Sequence, residues 1–406
     1  MKLVSAESVG MNADSLSRIG VHMRERYIKP GKIAGTSTLI ARRGKVCYWE
    51  QEGLMDRERK VSMAPDSIFR IYSMTKPITT VALMMLFEEG RFSLTDTVAR
   101  YIPEFKDLRV WKAGSYPYFD TSPCERPMQV RDLLMHTAGL TYEFMQQDNV
   151  DAAYRKLQIS NPREDYTLKE MIENLAKLPL VFSPGNRWNY SVATDVAGYL
   201  VEVLSGQSLA SFMQERIFTP LGMNDTSFEL DESKSHRLAA CYERALDKSV
   251  NLQDDPLDSA YKNRSFYSGG GGLLSTMSDY YRFCQMLLGG GVLDGVRLLG
   301  PRTLDFMCRN HLPGGADLAE LASGSFSETV NEGVGFGLGF AVKDNPLRNG
   351  CTGSQGQYFW GGMASTIFWV DPVEELIVIF MTQLIPSGTY DFRGQLDSII
   401  YGAIEP

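Results

Sequence analysis

Strand-like patterns sit at the two ends of this chain and helix-like patterns fill its middle, and that distribution leaves few folds open. Near the start, 35–41 and 45–50 are rich in β-branched and aromatic residues, with Arg42-Arg43-Gly44 as a hairpin turn between them. In the last third, 335–342, 358–370 and 376–383 carry alternating or continuous β-branched and aromatic residues. Asp371-Pro372-Val373-Glu374-Glu375 turns between the last two. Helical periodicity marks 78–89, 129–135, 168–178, 193–204 and 209–217, with a helix start at Asp14 and a final helix from 391 to about 404. One sheet built from both termini, with a mainly helical region inserted, satisfies this order. Short turns make the sheet mostly antiparallel. The expected fold class is α/β of the α+β type. Residues 1–72 and 330–406 form the sheet domain and 73–329 the helical domain. Segments 107–125 and 310–332 are expected to border a cleft as loops.

Chemistry concentrates at Ser73-Met74-Thr75-Lys76. A serine and a lysine three apart lie on one face of a helix, so the amine can reach the hydroxyl and take its proton without a histidine. A chain of this length carries about one or two S-x-x-K by chance, and Ser259-Ala260-Tyr261-Lys262 is a second copy. Context favours the first. Ser73 follows an extended run, 67–72, and precedes the helix at 78–89, with Pro77 suited only to a first turn. A helix N-terminus there offers free N–H groups to a developing oxyanion. The alternative is that Ser73 is a plain N-cap. Ser259 follows a polar loop with no clear helix behind it.

Two further stretches matter. In Pro184-Gly185-Asn186-Arg187-Trp188-Asn189-Tyr190-Ser191 a tight turn leads into an extended stretch that can project the Tyr190 phenol into a cleft. A lysine beside it can share its proton; the alternative is a buried tyrosine bonded to backbone. In Trp360-Gly361-Gly362-Met363, glycines inside a strand pattern mark a close approach to the backbone, by a substrate carbonyl or, alternatively, at an ordinary bulge.

Other chemistries lack their residues. A net charge of −8 argues against nucleic acid and anionic membranes, and no run approaches the length of a membrane span. Six scattered cysteines without C-x-x-C read as free thiols in a reducing compartment, not as zinc ligands. The first residues show no apolar leader, which points to a cytoplasmic protein. There are four histidines and no G-x-S-x-G. His136 reads as a helix C-terminal residue complementing the dipole. The glycines of 333–339 lack the spacing of a dinucleotide loop and read as a strand entry.

Taken in order, Ser73-x-x-Lys76, the Pro184 to Ser191 loop and Trp360-Gly361-Gly362 resemble the three motifs of the serine β-lactamase-like superfamily. Leu133-Leu134-Met135-His136-Thr137-Ala138-Gly139-Leu140 is similar to that family's "LLxHTSGL" helix end, and Phe368-Trp369-Val370-Asp371-Pro372 with 378–383 is similar to its last hairpin. The likeness spans nearly the whole chain and is nearest to the class C β-lactamase-like carboxylesterases, the family VIII esterases. It implies a β-lactamase/transpeptidase-like fold and a serine hydrolase without metal or cofactor. Ser73 would be the acylated nucleophile, activated by Lys76 and Tyr190. The N–H groups of Ser73 and Met363 would form the oxyanion hole. Trp360, Gly361 and Gly362 would meet substrate, with Trp360 lining the acyl or alcohol pocket. Two departures bear on the substrate. Ser191-Val192 follows Tyr190 where class C β-lactamases have x-Asn, and Trp360 stands where they have the lysine that meets the β-lactam carboxylate. The expected activity is hydrolysis of a short-chain, small-molecule ester. β-Lactamase, D,D-peptidase or acyltransferase activity on the same nucleophile and a non-catalytic binding homologue are the competing readings. Oligomeric state is left open.

Overall fold

The computed structural model describes residues 1–160, 166–323 and 331–405. Its main sheet has eight strands. In chain order they are β1 Gly35–Arg42, β2 Lys45–Asp56, β3 Val61–Ser62, β4 Val334–Phe336, β5 Ala341–Lys343, β6 Tyr358–Gly361, β7 Ile367–Asp371 and β8 Leu376–Met381. Across the sheet they run β4-β5-β6-β7-β8-β1-β2-β3. All neighbours are antiparallel. The two termini meet in the middle: β1 pairs with β8 from Ser37 opposite Met381 to Arg42 opposite Leu376. Both strands are buried along their whole length, as inner strands covered on both faces are. The β1–β2 turn is two residues, Arg43 and Gly44, with φ of 51° and 72°. That left-handed pair matches the twist of a hairpin.

Two strand expectations need correction. The segment 335–342 is not one strand but the hairpin β4–β5, because Gly339 turns at φ 84° and its bare α-carbon lies against Thr80. The segment 358–370 is likewise two strands, β6 and β7, broken after Gly361 by a turn with Ser365 at φ 64°. Among the described residues, small strand groups outside the main sheet were not anticipated. One is the hairpin Arg109–Ser115 with Tyr118–Pro123. Its residues are largely exposed, so no alternating apolar face announces it. Another sets Cys241–Arg244 between Val250–Asp254 and a parallel Leu384–Ile385.

Among the described residues, the longer helices that frame the sheet and cleft are α1 Ala13–Met23, α2 Thr75–Glu88, α3 Ala193–Ser205, α4 Met277–Leu288 and α5 Phe392–Tyr401. α1 packs on α5 and β2, α4 packs on β7 and β8, and α2 packs on α3. α2 is buried on every side except at its C-terminal end, which identifies it as a core helix. α4 lies in the span expected to be helical domain, yet it covers the sheet. The expected boundary at 329/330, and part of the loop 310–332, lie outside the described residues. All six cysteines carry free thiols. Among the described residues, no helix is long and apolar enough to cross a membrane.

Candidate active site

Ser73 sits in a single 3-10 turn, Tyr72–Met74, between the short strand Ile68–Arg70 and α2. Several bonds fix this turn. The Ile71 N–H donates to Leu273 O (3.1 Å) and the Met74 N–H to Ile71 O (3.0 Å). Tyr280 Oη donates to Met74 O (3.0 Å). Tyr72 is held at φ 41°, in the left-handed region that bulky residues avoid. Such strain persists only where the surroundings over-determine it. Ser73 does not cap the helix: the N-cap position is Met74, which makes no side-chain cap bond.

The Ser73 hydroxyl instead meets the two groups expected of it. Tyr190 Oη donates to Ser73 Oγ at 2.6 Å, and Lys76 Nζ donates to the same oxygen at 3.3 Å. Lys76 is 2 % exposed. Its ammonium also donates to Tyr142 Oη (3.0 Å) and Gly270 O (2.7 Å) and stands 4.5 Å from the Tyr190 ring centroid. The Tyr190 ring packs tilted against His136, Tyr142 and Trp360 and stacked against Trp188. Ser73 and Tyr190 open onto a cleft of about 740 Å³, walled by Tyr72, Tyr142, Phe144, Tyr261, Met363 and Pro386 among others. Among the described residues, the Met363 N–H at this wall donates to no protein acceptor.

The second S-x-x-K is a different object. Ser259 is buried, donates to Asp254 Oδ2 (2.8 Å) and accepts from Arg70 Nη2 (3.3 Å). Lys262 Nζ turns away to Leu257 O (3.0 Å).

Trp360, Gly361 and Gly362 are placed otherwise than expected. Trp360 is 2 % exposed, stands behind Tyr190 and Phe336, and is not part of the cleft wall. Gly361 is buried in β6 opposite Ile367. The close approach at Gly362 is by protein: a Cβ there would stand 2.4 Å from Ile71 O and 2.3 Å from Thr366 Oγ1. The glycine pair seats β6 against the turn that carries Ser73. His136 also needs correction. It is fully buried, and burial with the Lys76 charge holds it well below its ordinary value of 6.5. A neutral ring offers no cation to a helix dipole; its Nδ1 lies 3.3 Å from Ser191 Oγ.

Three residues around Lys76 escaped sequence reasoning. Tyr142 touches the ammonium directly, and burial, then Asp195, push its phenol well above the ordinary range. Asp195, in the first turn of α3, accepts from Ser268 Oγ (2.5 Å) and the Gly270 N–H (3.0 Å). Burial raises its carboxyl while the Lys76 charge pulls it down. Gly270 presents its carbonyl to Lys76 because it lacks a side chain: a Cβ would meet Asp195 Oδ2 at 2.4 Å. The run Gly269 to Gly272 was the available signal. Among the described residues, no cluster of histidine, cysteine or carboxylate side chains could hold a metal.

Known proteins share this architecture. The Beta-lactamase family model matches residues 23–396. An uncharacterised protein of Mycobacterium tuberculosis is 34 % identical over 365 residues, covering 89 % of this chain and 88 % of that protein. Esterase EstB of Burkholderia gladioli is 29 % identical over 408 residues, covering 95 % and 96 %. The solved structure of EstCE1, described as a hydrolase with promiscuous acyltransferase activity, is 27 % identical with a TM-score of 0.77 over 97 % of this chain and 99 % of that one.

Proposed function

This chain belongs to the beta-lactamase family, whose fold serves serine hydrolases and acyltransferases, and on that premise we propose that it is a serine carboxylesterase acting on short-chain esters. The observation that carries the reading is the Ser73 hydroxyl, bonded by both Tyr190 and Lys76 and opening onto a cleft with Tyr72, Tyr142, Phe144 and Tyr261 in its wall.

The chemistry follows from that contact. In the reacting form the Tyr190–Lys76 pair lacks one proton, either the phenol's or one of the ammonium's; Ser73 Oγ bonds to the ester carbonyl carbon while its proton passes to that pair, which holds it as a unit. The N–H groups of Ser73 and Met363 receive the oxyanion. Collapse breaks the bond to the alkoxide, which leaves with the proton from the pair. Water then attacks the acyl-enzyme by the same route in reverse roles, releasing acid and restoring Ser73. Trp360 supports the ring of Tyr190 from behind in this scheme and does not touch substrate.

Acyl transfer is the second reading, because an alcohol can take the place of water; EstCE1, at 27 % identity, is described with that activity. β-Lactamase or D,D-peptidase chemistry is disfavoured by the neutral Trp360 in place of the third-motif lysine. The test is hydrolysis of p-nitrophenyl butyrate at mildly alkaline pH. Wild type turns over, and Ser73→Ala, with an unchanged circular dichroism spectrum, does not. Full activity in the variant would end the proposal. A stable acyl adduct without turnover would identify a binding homologue instead.

A further inference from the structure

The carboxylates that face the cleft are all engaged by the protein. Asp254 Oδ2 accepts from Arg70 Nε at 2.5 Å and from Ser259 Oγ at 2.8 Å. Asp195 faces the Lys76 charge and holds Ser268 and Gly270. Glu143 accepts the Ser160 N–H at 3.4 Å, and burial lifts its carboxyl above the ordinary range.

Arg264 differs. Its guanidinium lies over the Tyr261 ring, 3.4 Å from the centroid, and Nε donates to Ala260 O at 2.9 Å. Arg70 stands over the same ring at 5.7 Å, so Tyr261 is fixed by both cations. Among the described residues, neither terminal nitrogen of Arg264 has a protein acceptor and no carboxylate pairs with it. It lines the same cleft as Ser73. A stacked guanidinium with one nitrogen tethered has already lost much of its rotamer freedom, and its free edge matches a carboxylate in two parallel hydrogen bonds.

We propose that Arg264 is the anion-recognition residue of this cleft, and that the ester it takes carries a carboxylate: a half-ester of a dicarboxylic acid, or an acylated hydroxy acid. This rests on the esterase reading and names its substrate class. The third-motif position supplies no charge, and the cation comes instead from the loop after Ser259.

The test compares kcat/KM ratios. On the acyl side, the mono-p-nitrophenyl esters of glutaric and adipic acid are set against p-nitrophenyl butyrate. On the alcohol side, 4-butyryloxybenzoate is set against phenyl butyrate. The expected result is a carboxylate preference of roughly tenfold or more in one arm, which also tells which half of the ester bears the anion. Arg264→Gln lowers that ratio roughly ten- to hundredfold, the range of a hydrogen bond to a charged group. Arg264→Lys, which keeps the charge without the fork, gives an intermediate ratio and guards against a misfolded Gln variant. Raised salt shrinks the preference. Neutral esters preferred in both arms, or a ratio unmoved by Arg264→Gln, would overturn the inference and leave the esterase standing. No hydrolysis of any of these esters by wild type would remove both.

Discussion

Ser73, Lys76 and Tyr190 come from a turn, a helix and a loop 117 residues apart in sequence, yet one oxygen receives bonds from both partners. Lys76→Ala and Tyr190→Phe are each expected to lose roughly 10² to 10⁴ in kcat, the span of a general acid–base group, measured on p-nitrophenyl butyrate. Ser73 and Lys76 were legible from their three-residue spacing, and Tyr190 from the order in which its loop follows them, as in the family the chain resembles. Tyr142 and Asp195 were not, because a tyrosine in a loop and an acid in a first helical turn have ordinary explanations. His136 carries a pH prediction. Folded, its proton binds only well below 6.5; unfolded, near 6.5. The unfolded state therefore binds more protons as pH falls through 6.5, and the stability present above that value is lost below it. His136→Asn is expected to make the dependence of unfolding free energy shallower between pH 7 and 5, by up to about 1.4 kcal/mol per pH unit. Urea denaturation at each pH reads the slope, and an identical slope in the variant would refute the assignment.

At the scale of elements, the glycines of β6 matter through what they allow to approach. Gly362→Ala would place a methyl against Ile71 O, a backbone atom that cannot rotate away. The Tyr72–Met74 turn must then shift. Overpacking of this kind costs typically about 1–3 kcal/mol, and the displacement falls on the nucleophile. The expectation is a kcat loss of roughly tenfold or more, since small misplacements of reacting groups are costly. Unchanged kcat would show that β6 does not set the turn. The sequence marked Gly361-Gly362 as a close-approach site but could not say what approaches, because Ile71 lies 291 residues earlier. Strand existence was readable from β-branched runs, whereas the breaks at Gly339 and Ser365 were not, since they depend on what packs against each turn. The hairpin at 109–123 gave no clear signal, because its residues are largely exposed and no alternating face is fully buried.

The whole molecule is tied through the centre of its sheet. β1 and β8 pair along six positions, Arg42 reaches Glu374 at 2.7 Å, and the Asn12 N–H donates to Ala403 O at 2.8 Å. With α4 packed on the same strands, the helical region has no independent floor. Urea unfolding followed by far-ultraviolet dichroism and by loss of esterase activity is accordingly expected to trace one curve. Two separated transitions would mean that the helical region holds together alone. The layout of sheet and insert was visible in the order of patterns, while the β1–β8 register is a long-range fact that no local pattern encodes. That register also sets a clock for synthesis. β1 leaves the ribosome long before β8, and at about 5–20 residues per second the 334 residues from Arg43 through Leu376 take roughly 17–67 s to make. Throughout that interval the nascent chain carries a strand with one edge of unpaired backbone N–H and C=O groups. A cell that makes this protein must keep that edge from other chains until the strand Leu376–Met381, close to the C-terminus, arrives to cover it.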